Sequence, residues 1–127
     1  MEWEPIVTFV VPGKPKAKDR PRFNRKTGGV YTTKETREAE TAVGEAFDLA
    51  CPLWEPTLED VRMTLDVCWP GKATADPDNV AKLIFDGLNK LAYRDDKQIK
   101  KFSVDVFEHA GDSAGVVVTF YIHKGES

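Results

Sequence analysis

Asp76, Asp78 and Lys82 carry the most pointed chemistry in the chain. In Asp76-Pro77-Asp78-Asn79 two carboxylates flank a proline, and Lys82 follows four residues after the second. A purely structural reading is available. Asp76 suits a helix N-cap, Pro77 the first helical position, and Asp78 is stabilised by the positive end of the helix dipole. The helical wheel adds more. At about 100° per residue, Val80, Leu83, Ile84, Leu88 and Leu91 share one apolar arc, while Asp78 and Lys82 lie about 40° apart on the opposite side. Two carboxylates and an ammonium therefore meet at the mouth of one helix. Asp95 and Asp96 lie beyond that helix, just ahead of a predicted strand from which a carboxylate can be carried back to the first cluster.

Three converging carboxylates repel one another unless a cation joins them. A hard oxygen donor set without Cys or His selects Mg²⁺, with Mn²⁺ as a substitute. Phosphodiester hydrolysis uses such ions to activate water and to neutralise charge on the attacked phosphate, and a nearby lysine stabilises the developing charge.

The substrate side of that chemistry is legible upstream. Residues 12–26 hold Lys14, Lys16, Lys18, Arg20, Arg22, Arg25 and Lys26 against Asp19 alone, a local excess of six positive charges in a chain whose net charge is -3. Such a stretch grips polyanions through phosphates, whereas the net charge argues against a protein that coats nucleic acid. Tyr31 and Phe23, interleaved with these cations, are candidates for stacking on DNA. Residues 35–60 carry eight acids against Arg37, so the two surfaces differ in sign.

The elements that must position these groups follow from hydrophobic period. Ile6–Val11 is a β-branched run stopped by Pro12-Gly13, expected as a strand buried on both faces. The basic stretch, with three prolines and Gly28-Gly29, is expected as a flexible arm ending in a loop or small hairpin. Thr33 suits an N-cap for a helix running to about Ala50, its apolar stripe being Ala39, Ala42, Val43, Ala46, Phe47 and Ala50 and its acids facing solvent. Residues 61–69 alternate as a strand, the helix opened by Asp76 follows, and two strands near Ile99–Phe107 and Val116–Ile122 complete an α+β domain. Its largely antiparallel mixed sheet would carry the helices on one face.

With 127 residues, 41% hydrophobic and 31% charged, the chain is globular in composition and sized for one domain, 1–127, with the arm at 12–32 inside it. No run reaches membrane-spanning length and no signal peptide opens the sequence, so a cytoplasmic protein is expected. Cys51 and Cys68 have no zinc-ligand spacing and read as buried thiols. His109 and His123 lack a nucleophile motif and are not assigned to catalysis. Trp3, Trp54 and Trp69 are expected as core or interface anchors. Phe85 falls on the polar side of its helix, which suits a subunit interface.

The segment Asp76 to Asp96, DPDNVAKLIFDGLNKLAYRDD, resembles the RusA family pattern D-x-D-N-x-x-K-x-x-x-D-x-L followed by a D-D pair. The arm PGKPKAKDRPRFNRKTGGVYT, Pro12 to Thr32, is similar to the family's N-terminal segment in its phage and prophage branch. The resemblance implies a homodimeric, Mg²⁺-dependent resolvase that cuts four-way DNA junctions by paired nicks. It places the essential aspartates at Asp76, Asp78 and Asp96, with Asp95 the alternative to Asp96, and the catalytic lysine at Lys82. Asp86 also matches the pattern, in a role that can be structural. Two other functions compete: a less selective nuclease acting on flaps and other branched DNA, and a nucleic-acid-binding module whose acidic cluster is only structural.

Overall fold

The computed structural model describes residues 2–19 and 22–125. In chain order its elements are β1 (Trp3–Pro12), β2 (Arg22–Phe23), β3 (Val30–Tyr31), α1 (Lys34–Ala50), β4 (Val61–Cys68), α2 (Pro77–Leu88), β5 (Ile99–Phe107) and β6 (Gly115–His123). Four strands form one sheet in the order β1-β6-β4-β5, with β4 and β5 parallel and the other pairs antiparallel. This is the expected α+β architecture with a mixed sheet. β2 and β3 form a separate two-stranded hairpin at the end of the arm.

Strand β4 organises the core because its alternation is strict: Val61, Met63, Leu65 and Val67 are almost fully buried, while the residues between them are half-buried on the other face. The first set shares one core with Val43 and Phe47 of α1 and Val80, Ile84 and Leu88 of α2, together with Phe9 of β1 and Phe120 of β6. At about 25 cal/mol per Å² of apolar surface, each such side chain contributes roughly 1.5–3 kcal/mol. Trp69 and Tyr93 are buried with them.

Thr33 caps α1 as its sequence suggests, accepting from the Thr36 amide. Asp76 caps α2 and accepts from the Asp78 amide at 2.9 Å, with Pro77 in the first turn. α2 stops at Leu88, earlier than the apolar period suggests, because Asn89 turns extended and Lys90 takes φ 69°. Leu91 thus packs on the core from a turn rather than from the helix.

Three expectations are corrected. β1 is an edge strand whose only fully buried side chain is Phe9, since β6 covers one of its edges and the helices only one face. Cys51 and Cys68 are free but half-buried. The first part of the arm is seated rather than loose: Pro15 is buried, Ala17 packs against the core, and the Lys18 amide donates to the Asn79 carbonyl at 3.0 Å. No helix among the described residues is long and apolar enough to cross a membrane.

Candidate active site

Because β4 and β5 are parallel, α2 must return the chain from the end of one strand to the start of the other. That crossover separates the acidic residues. Asp76, Asp78 and Lys82 lie exposed at the first turns of α2, beyond the end of β4. Asp95 and Asp96 lie past the other end of the helix, where Asp96–Gln98 form a short 3-10 turn leading into β5. Gln98 fixes that turn by donating to the Thr57 and Glu59 carbonyls, both at 2.8 Å, just ahead of β4.

At a rise of about 1.5 Å per residue, Asp78 and Asp86 are separated by roughly 12 Å along α2. It is Asp86, not Asp78, whose charge acts on Asp96. The 95–96 pair is therefore carried to the far end of α2 within one chain, not back to its mouth. Among the described residues no three of His, Cys, Asp and Glu converge to hold a metal ion. Their chemistry still suits a hard cation, since every candidate is an exposed carboxylate with no competing soft donor.

Asp95 and Asp96 behave as a linked pair. The Lys97 amide, donating to Asp95 at 2.9 Å, holds the Asp95 carboxyl below its ordinary range, helped by a hydrogen bond from Asp96. Asp96 is pushed up, first by that same hydrogen bond to Asp95, then by desolvation and by repulsion from Asp95 and Asp86. Tyr93, behind them, donates its hydroxyl to the Phe85 carbonyl; burial above all, and then the charges of Asp96 and Asp86, raise its pKa far above that of a free phenol.

The basic residues divide into outward and inward groups. Lys14, Lys16, Arg25 and Lys26 are exposed, and Arg25 and Lys26 lie in the turn between β2 and β3. Arg20 lies outside the described residues, as does the side chain of Arg22. Lys18 points inward: its ammonium donates to Asp86 on α2 and stands 3.9 Å from a Glu40 oxygen on α1. The sequence gives no sign of this pairing, and it had placed Glu40 on the solvated side of α1. Glu40 is half-buried, and desolvation raises its carboxyl pKa while Lys18 opposes the shift.

Phe85 and Phe102 supply the other feature of this region. Their rings meet edge to face at 5.1 Å where α2 passes over β5, the edge strand of the sheet. Phe102 remains 50% exposed and Val106, on the same strand face, 40%, so the contact leaves an apolar strip along an unpaired edge.

A comparison with curated proteins gives no match. The family model described as endodeoxyribonuclease RusA matches residues 12–121, a span that takes in the arm, both helices and the strands β4, β5 and most of β6. With that match over most of its length, the chain belongs to the RusA endodeoxyribonucleases, the family of Holliday junction resolvases.

Proposed function

We propose that this protein is a Mg²⁺-dependent resolvase that nicks four-way DNA junctions in recombination and repair, with Asp76, Asp78 and Asp96 holding the cation and Lys82 beside the scissile phosphate. The observation that carries this reading is the capped α2 mouth, which presents Asp76, Asp78 and Lys82 together and exposed on the first turns of one helix beside a seated basic arm. The cation, when bound, supplies charge neutralisation at the phosphate and acidifies the attacking water. The chain's own residues orient and screen. Asp76 is held by its capping bond, Asp78 presents its carboxylate from the first turn, and the Lys82 ammonium faces the charge that develops on the phosphate oxygens. Lys14, Lys16, Arg25 and Lys26, with Arg20 and Arg22, bind the flanking backbone.

The same reading makes the working form a homodimer whose sites are shared. One chain keeps Asp96 a helix length from Asp76 and Asp78, so a single metal needs Asp96 from a second copy. Pairing two β5 edges antiparallel about a two-fold axis sets the start of one β5 beside the end of the other, where the second α2 begins. Phe85 and Asp78 fall about 20° apart on the α2 wheel, both toward that edge. The exposed Phe102 and Val106 would be covered by the contact.

The test is cleavage of a synthetic mobile four-way junction against duplex and flap controls, with and without Mg²⁺. Junction-selective nicking that needs Mg²⁺ and disappears in Asp78→Asn, with junction binding retained, is the expected result. Equal cleavage of flaps would assign the broader nuclease activity, and Mg²⁺-independent binding with no cleavage would reduce the protein to a binding module.

A further inference from the structure

We propose that Lys18 is a positioning residue: joined to Asp86 on α2 and standing beside Glu40 on α1, it fixes the point at which the basic arm leaves the helices and so sets the arm's register against Asp78 and Lys82. The functional half of this proposal rests on the nuclease reading above; the anchoring half does not.

Four observations converge on it. Lys14 and Lys16 are exposed, yet Lys18, next in the same alternation, is only 27% exposed and turns inward to two carboxylates on different helices. Its backbone amide is bound to the Asn79 carbonyl, one residue after Asp78, while its ammonium reaches Asp86 two turns further along. One residue thus spans the α2 segment that contains Lys82. The next residue anchors the chain to the other helix. The Asp19 carboxylate accepts from the buried Thr33 hydroxyl at 3.1 Å and from Thr36 at 3.5 Å, at the start of α1. Finally, Lys18 is the cation between Asp86 and Glu40, which would otherwise face each other unscreened.

A phosphate-binding arm gains affinity from its cations wherever they lie, but it delivers a particular phosphodiester to a particular carboxylate only if its origin is fixed. Positioning of that kind converts binding into rate. Lys14 and Lys16 precede the anchor, and the β2–β3 hairpin with Arg25 and Lys26 follows it, so cations on both sides take their places from Lys18 and Asp19.

The alternative role for Lys18 is direct contact with DNA, and Asp86→Asn separates the two. If Lys18 binds phosphate, Asp86→Asn leaves the saturating nicking rate near wild type; if it is an anchor, Asp86→Asn lowers that rate in the same direction as Lys18→Met. The experiment uses the full chain with both variants, Lys18→Arg, and the exchange Lys18→Asp with Asp86→Lys. Amide hydrogen exchange at Lys18 and Asp19 is followed alongside junction affinity and the single-turnover nicking rate at saturating junction. Expected are exchange at least tenfold faster in Lys18→Met and Asp86→Asn with thermal unfolding still cooperative, and a saturating rate about tenfold lower. The Lys18→Arg variant and the charge exchange should recover both. Unchanged exchange, a wild-type saturating rate in Asp86→Asn, or loss of rate only in proportion to global unfolding would each overturn the proposal. If the wild-type chain does not nick junctions, the nuclease reading fails, and exchange at the two amides still decides the anchor.

Discussion

A Cβ built on Gly87 of α2 would lie 2.8 Å from the Val43 Cβ on α1. It would also lie 2.8 Å from the Glu40 carbonyl oxygen, and a Cβ on Gly44 would meet Leu91 at 2.8 Å. The helices therefore touch through their backbones, and this closeness puts Glu40 and Asp86, on either side of the crossing, within reach of one lysine. Gly87→Ala gains about 1 kcal/mol of helix propensity. Overpacking against backbone and a Cβ, neither of which can swing aside, costs about 1–3 kcal/mol. The two 2.8 Å contacts put Gly87→Ala in the upper half of that range, so the net expectation is a loss of stability of about 1–2 kcal/mol in urea unfolding, with a loosened arm. A variant as stable as wild type would show that the helices separate freely.

These relationships were unequally legible in the sequence. α1, β4 and the start of α2 were readable because their signals are local: Thr33 and Asp76 as caps, and the alternation from Val61 to Val67. The candidate cluster at the α2 mouth stands out in the sequence because Asp76, Asp78 and Lys82 sit within seven residues of one chain. What was not readable depends on pairing between distant strands. Nothing in Ile99–Phe107 announces that it lies parallel to β4, and that single fact sends Asp96 to the far end of α2. The bond from Lys18 to Asp86 is hidden for the same reason, since it joins residues 68 positions apart through a helix crossing set by two glycines.

The Asp95–Asp96 pair fixes a pH dependence. Asp95 is lowered in the fold, so its contribution to stability is present above its unfolded pKa and is lost as pH falls through the folded value. Asp96 is raised, so the fold favours its protonated form, and ionisation as pH rises through the folded value works against stability. At neutral pH, without metal, Asp96→Asn should therefore melt no lower than wild type. The difference should vanish at pH values low enough to protonate Asp96. Thermal melts across the acidic range with chelator present check this; an Asp96→Asn variant that melts lower at neutral pH would show that the carboxylates do not repel.

The exposed arm cations should be visible in salt dependence. Replacing Lys14, Lys16, Arg25 and Lys26 by alanine lowers the slope of log affinity against log salt by roughly 0.9 for every cation that contacts a duplex phosphate. Secondary structure and melting temperature should stay near wild type, because all four side chains are exposed. An unchanged slope would remove the arm from the DNA interface.

Shared sites make an outcome that separate sites cannot. Asp78→Asn and Asp96→Asn should each be inactive alone, because every site in either homodimer lacks one carboxylate. In a mixed dimer, one site takes both substitutions and the other takes neither: Asp76 and Asp78 from the Asp96→Asn chain meet Asp96 from the Asp78→Asn chain. Mixing equal amounts of the two inactive proteins should thus restore nicking of one strand per junction, at about a quarter of the wild-type number of sites once the chains have exchanged at random. If each site lay within one chain, every chain in the mixture would still be defective and no activity would return. Phe102→Glu tests the route by which the copies meet. A charge on the half-exposed β5 edge leaves the buried core intact but must be desolvated in the proposed contact. Sedimentation should then report a species near 14.2 kDa in place of one twice that mass, with nicking lost at the same protein concentration. A Phe102→Glu protein that remained dimeric would place the interface elsewhere, while restored activity in the mixture would still require that the sites be shared.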